Sequence, residues 1–177
     1  MKYFIYTFFF EQDKYITLER LEKYLLCLMY MHSDEDGKLI VKQKEICDMA
    51  NTSKTVLSLK KKYFEELGFM VQTDKSNIYM KIPKDVIHVQ KIDMNEELIT
   101  GKYRNLNNGA KLFYTYCLYQ QELKGREYIK YTNVEIKKPF TGSINTIKKY
   151  CNELQRFDLL DRVRNGVSFL YHFKKIE

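Results

Sequence analysis

The sequence predicts an α+β, mainly helical fold in which two tandem copies of one small unit are joined by a short, partly helical connector. Three observations predict it. Sliding the 177-residue chain against itself gives a gapless match of apolar positions at an offset of 90 residues. Each half runs from amphipathic helices into a hairpin signal. Only 7 Gly and 2 Pro accompany a hydrophobic content of 45%, which leaves little room for a disordered linker.

The aromatic opening from Met1 to Phe10 reads as a strand and not a secretory leader, because no small-residue cleavage site follows and Glu11-Gln12-Asp13 comes next. A helix then starts from Thr17 as N-cap, with Leu18, Leu21, Leu25 and Leu28 on one buried face. Its apolar run from Tyr24 to Met31 is far shorter than the roughly 20 residues of a membrane span. Asp34-Glu35-Asp36-Gly37 ends the helix. A short strand from Lys38 to Lys42 follows, then a brief helix around Lys44 to Ala50. The turn Asn51-Thr52-Ser53 leads to a longer helix ending at Glu66, with Gly68 as its C-terminal stop. Phe69 to Thr73 and Ile78 to Ile82 form a hairpin around Asp74-Lys75-Ser76-Asn77.

The second copy repeats that order. A helix runs from about Ala110 to Leu123 and breaks at Lys124-Gly125; a strand from Tyr128 to Tyr131 and a short helix from Asn133 follow. The turn Thr141-Gly142 precedes a helix from Ser143 to about Phe157. Leu159 to Arg164 and Val167 to Phe173 then make a hairpin with Asn165-Gly166 at its turn. The domain division is 1–83, connector 84–106 and 107–177, with a short connector helix near Asn95 to Tyr103.

Glu45-Ile46-Cys47-Asp48-Met49-Ala50-Asn51-Thr52-Ser53 and Glu135-Ile136-Lys137-Lys138-Pro139-Phe140-Thr141-Gly142-Ser143 resemble the first helix and turn of winged helix-turn-helix domains. Leu57 and Phe64, then Ile147 and Leu154, stand four and eleven positions after each Ser, and Gly68-Phe69-Met70 or Asp158-Leu159-Leu160 enters the wing at that family's distance. Lys137 stands where a small apolar residue is usual, and Pro139 must shorten or distort the first helix. The second copy, from Ala110-Lys111-Leu112-Phe113-Tyr114 through Tyr131-Thr132-Asn133-Val134-Glu135-Ile136 to Ser143-Ile144-Asn145-Thr146-Ile147-Lys148-Lys149-Tyr150, is similar to winged helices of plasmid and phage replication initiators of low-GC bacteria. The resemblance implies double-stranded DNA as partner, with a role in replication or maintenance of a plasmid, phage or other mobile element. It also implies that one copy can dimerise while the other reads DNA.

The charge is unevenly spread. Residues 1–83 hold 13 basic and 12 acidic side chains, a net of +1; 84–106 hold four of each; 107–177 hold 13 and 7, a net of +6 out of +7 for the chain. Phosphate neutralisation supplies most non-specific DNA affinity, so the second copy is the main DNA-binding half. Its second helix should present Ser143, Asn145, Thr146, Lys148 and Lys149 to base edges, and its wing Arg162, Arg164 and Asn165 to the backbone or minor groove. The first copy offers Lys54, Thr55, Ser58, Lys61, Lys62 and Lys75 for DNA contact, the alternative being a role in dimerisation or partner binding. The N-terminal strand, if unpaired, is the natural self-association element.

Cys27, Cys47, Cys117 and Cys151 have no metal-ligand spacing and read as buried free thiols; no metal or cofactor is expected. No phosphate loop, H-E-x-x-H or G-x-S-x-G occurs, and His32, His88 and His172 lie far apart, so no enzymatic activity is expected. The reading is a cytoplasmic DNA-binding protein with no membrane association. A second copy and a replication or transcription protein are its candidate partners. Transcriptional regulation and a protein-interaction scaffold are the alternative functions.

Overall fold

A computed structural model describes residues 3–74 and 76–177. In chain order the elements are β1 (Phe4–Tyr6), α1 (Phe8–Glu11), α2 (Asp13–Ile16), α3 (Arg20–Met31), α4 (Gln43–Met49), α5 (Lys54–Glu66), β2 (Met70–Gln72), β3 (Ile78–Met80) and β4 (Lys91–Asp93). A 3₁₀ turn (Glu96–Leu98) follows, then α6 (Asn108–Leu123), β5 (Ile129–Thr132), α7 (Asn133–Lys137), α8 (Ile144–Arg156), β6 (Leu160–Asn165) and β7 (Ser168–Phe173). The fold is α+β, with antiparallel sheets ordered β1-β4, β2-β3 and β5-β7-β6.

The 90-residue offset reappears in the elements. Adding 90 to both ends of α5 gives both ends of α8, and adding it to the starts of α4, β2 and β3 gives the starts of α7, β6 and β7. The caps repeat as well. Ser53 Oγ accepts the Val56 N–H at 3.2 Å and Ser143 Oγ accepts the Thr146 N–H at 3.4 Å, each satisfying a first-turn donor that has no partner within its helix. At the other end, Phe69 N–H bonds Phe64 O and Gly68 N–H bonds Glu65 O, while Leu159 N–H bonds Leu154 O and Asp158 N–H bonds Gln155 O. Both pairs form a Schellman stop, which needs a left-handed residue before the turn: Gly68 at φ +82° and Asp158 at +57°. Asp is among the few non-glycine residues that adopt this conformation.

Several sequence expectations change. The N-terminal strand ends at Tyr6, and Phe8-Phe9-Phe10 turn into α1. All three rings are buried, whereas a strand would send Phe9 to the face opposite Phe8 and Phe10. That strand is also paired, with β4, in the register Phe4↔Asp93, Ile5↔Ile92 and Tyr6↔Lys91, so the premise of an unpaired N-terminal strand fails. Thr17 ends α2 by donating to Lys14 O at 2.7 Å, and the cap of α3 is Glu19, in a capping box with Glu22. The strand expected from Lys38 to Lys42 contracts to the bridges Ser33↔Leu39 and Lys38↔Tyr79. The connector helix contracts to the 3₁₀ turn. The last hairpin turns on Gly166 and Val167, one residue later than expected, with Asn165 opposite Ser168. Gly166 supplies the positive φ at the first loop position.

The two repeats meet along α3 and α6, and one continuous buried cluster runs through both. Every residue of α3 from Glu22 to Met31 is buried, so the helix has no solvent face over that stretch. The N-terminal segment crosses the junction: Phe10 stacks on Tyr116 at 4.7 Å between ring centroids and lies 5.6 Å from Phe140. Polar cross-links close it from both sides. Asn108 Nδ2 donates to Ala50 O at 2.8 Å and Thr141 Oγ1 donates to Leu18 O at 3.2 Å. Positions 18 and 108, and 51 and 141, correspond at the offset, so the contact is near-reciprocal.

Two lysines are buried in this region. Lys23 donates to Ile16 O at 2.9 Å, and Lys111 donates to Arg104 O at 2.7 Å and to the Tyr24 hydroxyl at 3.3 Å. Burial pushes each ammonium down to about 8. Between about pH 8 and 10.5 the unfolded chain therefore holds a proton on Lys111 that the folded chain does not. Stability rises with pH in that window, and the penalty is fully present below it. The stability advantage of Lys111→Met over wild type should accordingly be largest near pH 7 and narrow by up to roughly 3 kcal/mol toward pH 10.5, on the scale of about 1.36 kcal/mol per pKa unit; urea titrations at several pH values measure it.

Two glycines give a second expectation. A Cβ on Gly37 would collide with the Met80 carbonyl oxygen, while one on Gly68 meets nothing nearer than 3.9 Å. Gly68→Ala should cost the left-handed penalty alone, about 1–2 kcal/mol, and Gly37→Ala distinctly more in the same denaturation assay.

Candidate nucleic-acid interface

α8 buries Ile147, Tyr150, Cys151 and Leu154 against the second repeat. Gly109, with no side chain, lets the Tyr150 ring lie against the first turn of α6. The opposite face carries Asn145, Lys148, Lys149, Asn152 and Arg156, all exposed and within about 100° of arc at 3.6 residues per turn. Ser143 is exposed, but its hydroxyl is engaged as the cap, and Thr146 is half-buried with Oγ1 3.4 Å from Ser143 Oγ. Asn152 and Arg156 extend the face beyond the residues named from sequence. Continuing the i, i+3, i+4 series from Asn145 two further turns beyond Lys148 and Lys149 would have found them.

α7 precedes it through a reciprocal cap: Thr132 Oγ1 accepts the Glu135 N–H at 3.2 Å, and Glu135 accepts the Thr132 N–H at 2.7 Å, holding that carboxyl below its usual range. α7 ends at Lys137, two residues before Pro139, whereas α4 runs seven residues from Gln43 to Met49. Lys137 and Lys138 are exposed beside the turn and enter no ion pair among the described residues. Phe140 anchors the turn between Phe10 and Phe113.

The hairpin separates two arginines that the sequence treats alike. Arg162 lies with its guanidinium 3.9 Å from the Phe169 ring centroid and 5.6 Å from that of Tyr171, and its Nε is buried without a hydrogen-bond partner. Arg164 is exposed, with Nε donating to Gly166 O at 3.3 Å, and Asn165 and Val167 are exposed beside it. The tip therefore presents Arg164 and Asn165, and Arg162 packs on the sheet.

In the first repeat Lys54, Thr55, Ser58 and Lys62 are exposed on α5. Lys61 is half-buried, donating to Gln43 Oε1 at 2.9 Å and Gln72 Oε1 at 3.3 Å, and burial lowers its ammonium. Its neighbour Lys60 is paired with Glu22 at 2.8 Å and Glu19 at 3.3 Å. Lys75 lies outside the described residues. At the 90-residue offset, Asn145, Lys148, Lys149, Asn152 and Arg156 face their counterparts Thr55, Ser58, Leu59, Lys62 and Glu66. The same outer surface is thus cationic and amide-bearing in one repeat and near-neutral with an apolar centre in the other.

An open cleft of about 1070 Å³ lies between the repeats, bordered by Asn51 and Ala50 on one side and by Gly142, Thr146 and Tyr150 on the other. All four cysteines are free and buried. Among the described residues no group of three or more His, Cys, Asp or Glu is placed to hold a metal ion, and no helix is long and apolar enough to cross a membrane. The chain matches no family model, no curated protein and no solved structure.

The different settings of the two hairpin arginines have a measurable consequence. Arg162→Ala should destabilise the fold by about 1–2 kcal/mol by removing the ring stacking and the packing of its stem. Arg164→Ala should leave stability within about 0.5 kcal/mol in parallel thermal melts.

Proposed function

We propose that the chain is a double-stranded DNA-binding protein with tandem winged helices, its second repeat carrying the principal contacts, acting in replication or maintenance of a mobile element. The observation that carries this reading is the outer face of α8: Lys148, Lys149 and Arg156 beside Asn145 and Asn152, exposed and without an ion pair among the described residues. Lysine and arginine neutralise phosphates or meet guanine edges, and asparagine can donate to and accept from adenine. The order α6, β5, α7, α8, β6, β7 with sheet order β5-β7-β6 supports a winged-helix assignment, in which α8 lies in the major groove and the Arg164–Asn165 hairpin beside it. Lys137 and Lys138, at the end of α7, suit contacts to a flanking phosphate.

The replication role rests on the resemblance of the second copy, from Ala110 to Tyr150, to initiator domains. Transcriptional regulation uses the same contacts. Sequencing DNA fragments bound in vivo separates the two: clusters at an origin support replication, and promoter sites support regulation.

Mobility shifts on random duplex at two salt concentrations test binding itself, and a DNA binder must weaken steeply as salt rises. Lys148→Ala with Lys149→Ala should weaken binding by tenfold or more and reduce the slope of log affinity against log salt by roughly 2, about 1 for each phosphate no longer neutralised. Lys61→Ala with Lys62→Ala should change it far less, because Lys61 is engaged with Gln43 and Gln72. Equal weakening in the two variants would overturn the assignment to the second repeat, and salt-independent binding would overturn DNA as the ligand.

A further inference from the structure

The cleft between the repeats has the size and the place of a small-molecule site. Such sites favour junctions between domains and usually hold roughly 300–1,000 Å³, against about 1070 Å³ here. Its walls come from the first turn of α3, the α4–α5 turn, the connector and the start of α8.

Two guanidiniums border it without a carboxylate partner. Arg20 and Arg104 are exposed and enter no ion pair among the described residues. Of the carboxylates in the lining, Glu19 pairs with Lys60 at 3.3 Å and Glu153 accepts the Asn107 N–H at 2.8 Å. Asp48, at the end of α4, has neither kind of partner among the described residues.

Both arginines are held at the cleft. The Arg20 guanidinium lies against the hydroxyl of the buried Tyr150, and the main chain at Arg104 is fixed where its carbonyl accepts from the Lys111 ammonium at 2.7 Å. Packing does not call for the charge. Arg20 opens α3, where the helix dipole disfavours a cation, and the second repeat has Ala110 at the corresponding position. An anion in the cleft would reverse that penalty.

We infer that the cleft binds a nucleoside diphosphate, with Arg20 and Arg104 on its phosphate groups and Asp48 and Asn51 on the nucleoside. The planar N–H fork of arginine matches phosphate oxygens, and two unpaired guanidiniums suit two phosphate groups. A bare pyrophosphate would leave most of the volume unfilled and would bring no donor to Asp48. A nucleoside fills the space, and its hydroxyl and amino groups donate to the carboxylate and the amide oxygen. The ligand would touch the first repeat, the connector and, at Thr146, the second repeat. Its binding does not depend on whether α8 contacts DNA.

The test is isothermal titration calorimetry of the full chain with ADP, GDP, CDP and UDP, beside pyrophosphate and adenosine. At least one of the four nucleotides should bind once per chain and raise the melting temperature, with pyrophosphate and adenosine tenfold or more weaker. Arg20→Gln, which keeps a donor toward Tyr150, and Arg104→Ala should each weaken that nucleotide by tenfold or more. Arg104→Ala, on an exposed side chain, should melt without ligand as wild type does. Asp48→Asn should weaken the nucleotide severalfold without weakening pyrophosphate. Failure of all four to bind at millimolar concentration would overturn the inference, and so would an affinity indifferent to both arginines. Pyrophosphate binding as tightly as the best nucleotide would overturn the nucleoside assignment. Duplex DNA carries the same phosphate chemistry: if replacing both arginines weakens duplex binding while no free nucleotide binds, they serve the DNA backbone and the inference fails. Lys148→Ala with Lys149→Ala should bind the nucleotide as wild type does, which keeps this result separate from the fate of the proposed function.

Discussion

The complete burial of α3 is the constraint on which the rest of the structure depends. An ordinary surface helix hides one stripe; here ten consecutive residues, Glu22 to Met31, are buried, so the helix must be enclosed on every side. The first repeat alone provides α4, α5 and its hairpin. The remaining cover comes from α6, from the aromatic segment β1–α1 and from the β4 strand that holds that segment in place. This explains why the stretch between the repeats is structured. Asp85 accepts hydrogen bonds from Tyr15 and from Lys14, and Gln12 bonds both Asp85 O and Ile87 N–H. The connector is thereby fastened to the N-terminal segment, which in turn packs through Phe10 on the second repeat.

That enclosure leaves the outward surfaces of α5 and α8 free to differ. Inward-facing positions keep their character at the offset, with Leu57 matching Ile147, Phe64 matching Leu154 and Cys27 matching Cys117, all buried. So do the Ser caps and the left-handed stops. Outward positions carry no such demand, since exposed side chains change stability little. The contrast between Leu59 and Lys149, or Glu66 and Arg156, is therefore a better guide to what each repeat does than the shared architecture.

The parts of the fold legible in the sequence are those set by local chemistry at the repeat period. Both ends of α5 and the start of α8 follow from a Ser cap, a 3-4 apolar spacing and a residue able to adopt positive φ. The features that escaped depend on partners far along the chain. β4 has a single apolar residue, Ile92, and forms only because β1 lies 87 residues upstream, with Ile5 across from it. The triple Phe reads as a strand by composition, and only the need to bury all three rings on one side bends it into α1. The candidate site divides in the same way. Asn145, Lys148 and Lys149 are legible from helical periodicity, whereas the stacking of Arg162 on Phe169 requires knowing which strand lies beside it.

Formal charge sums share this weakness, because a cation attracts a phosphate only to the extent that the fold leaves it solvated and without a partner. In the second repeat Lys111 is buried, Lys174 is held by Asp158 at 2.5 Å and Asp161 at 3.2 Å, and Lys175 is held by Glu122 at 2.7 Å. Those three lysines count in the net +6 but contribute little to an outer field. Of the ten that remain, Arg162 packs on the sheet, Lys124, Arg126 and Lys130 are exposed from the end of α6 into β5, and the other six are exposed on the end of α7, the outer face of α8 and the tip of the β6–β7 hairpin. The first repeat undergoes the same subtraction more severely: Lys14 is held by Asp85, Lys23 is buried, Lys60 is clamped by two glutamates and Lys61 is held by two glutamines. Among the described residues, the basic run from Lys60 to Lys62 thus reduces to one free ammonium, that of Lys62. The difference between the repeats in available cations follows from the positions of Glu19 and Glu22 on α3 as much as from the composition of α5.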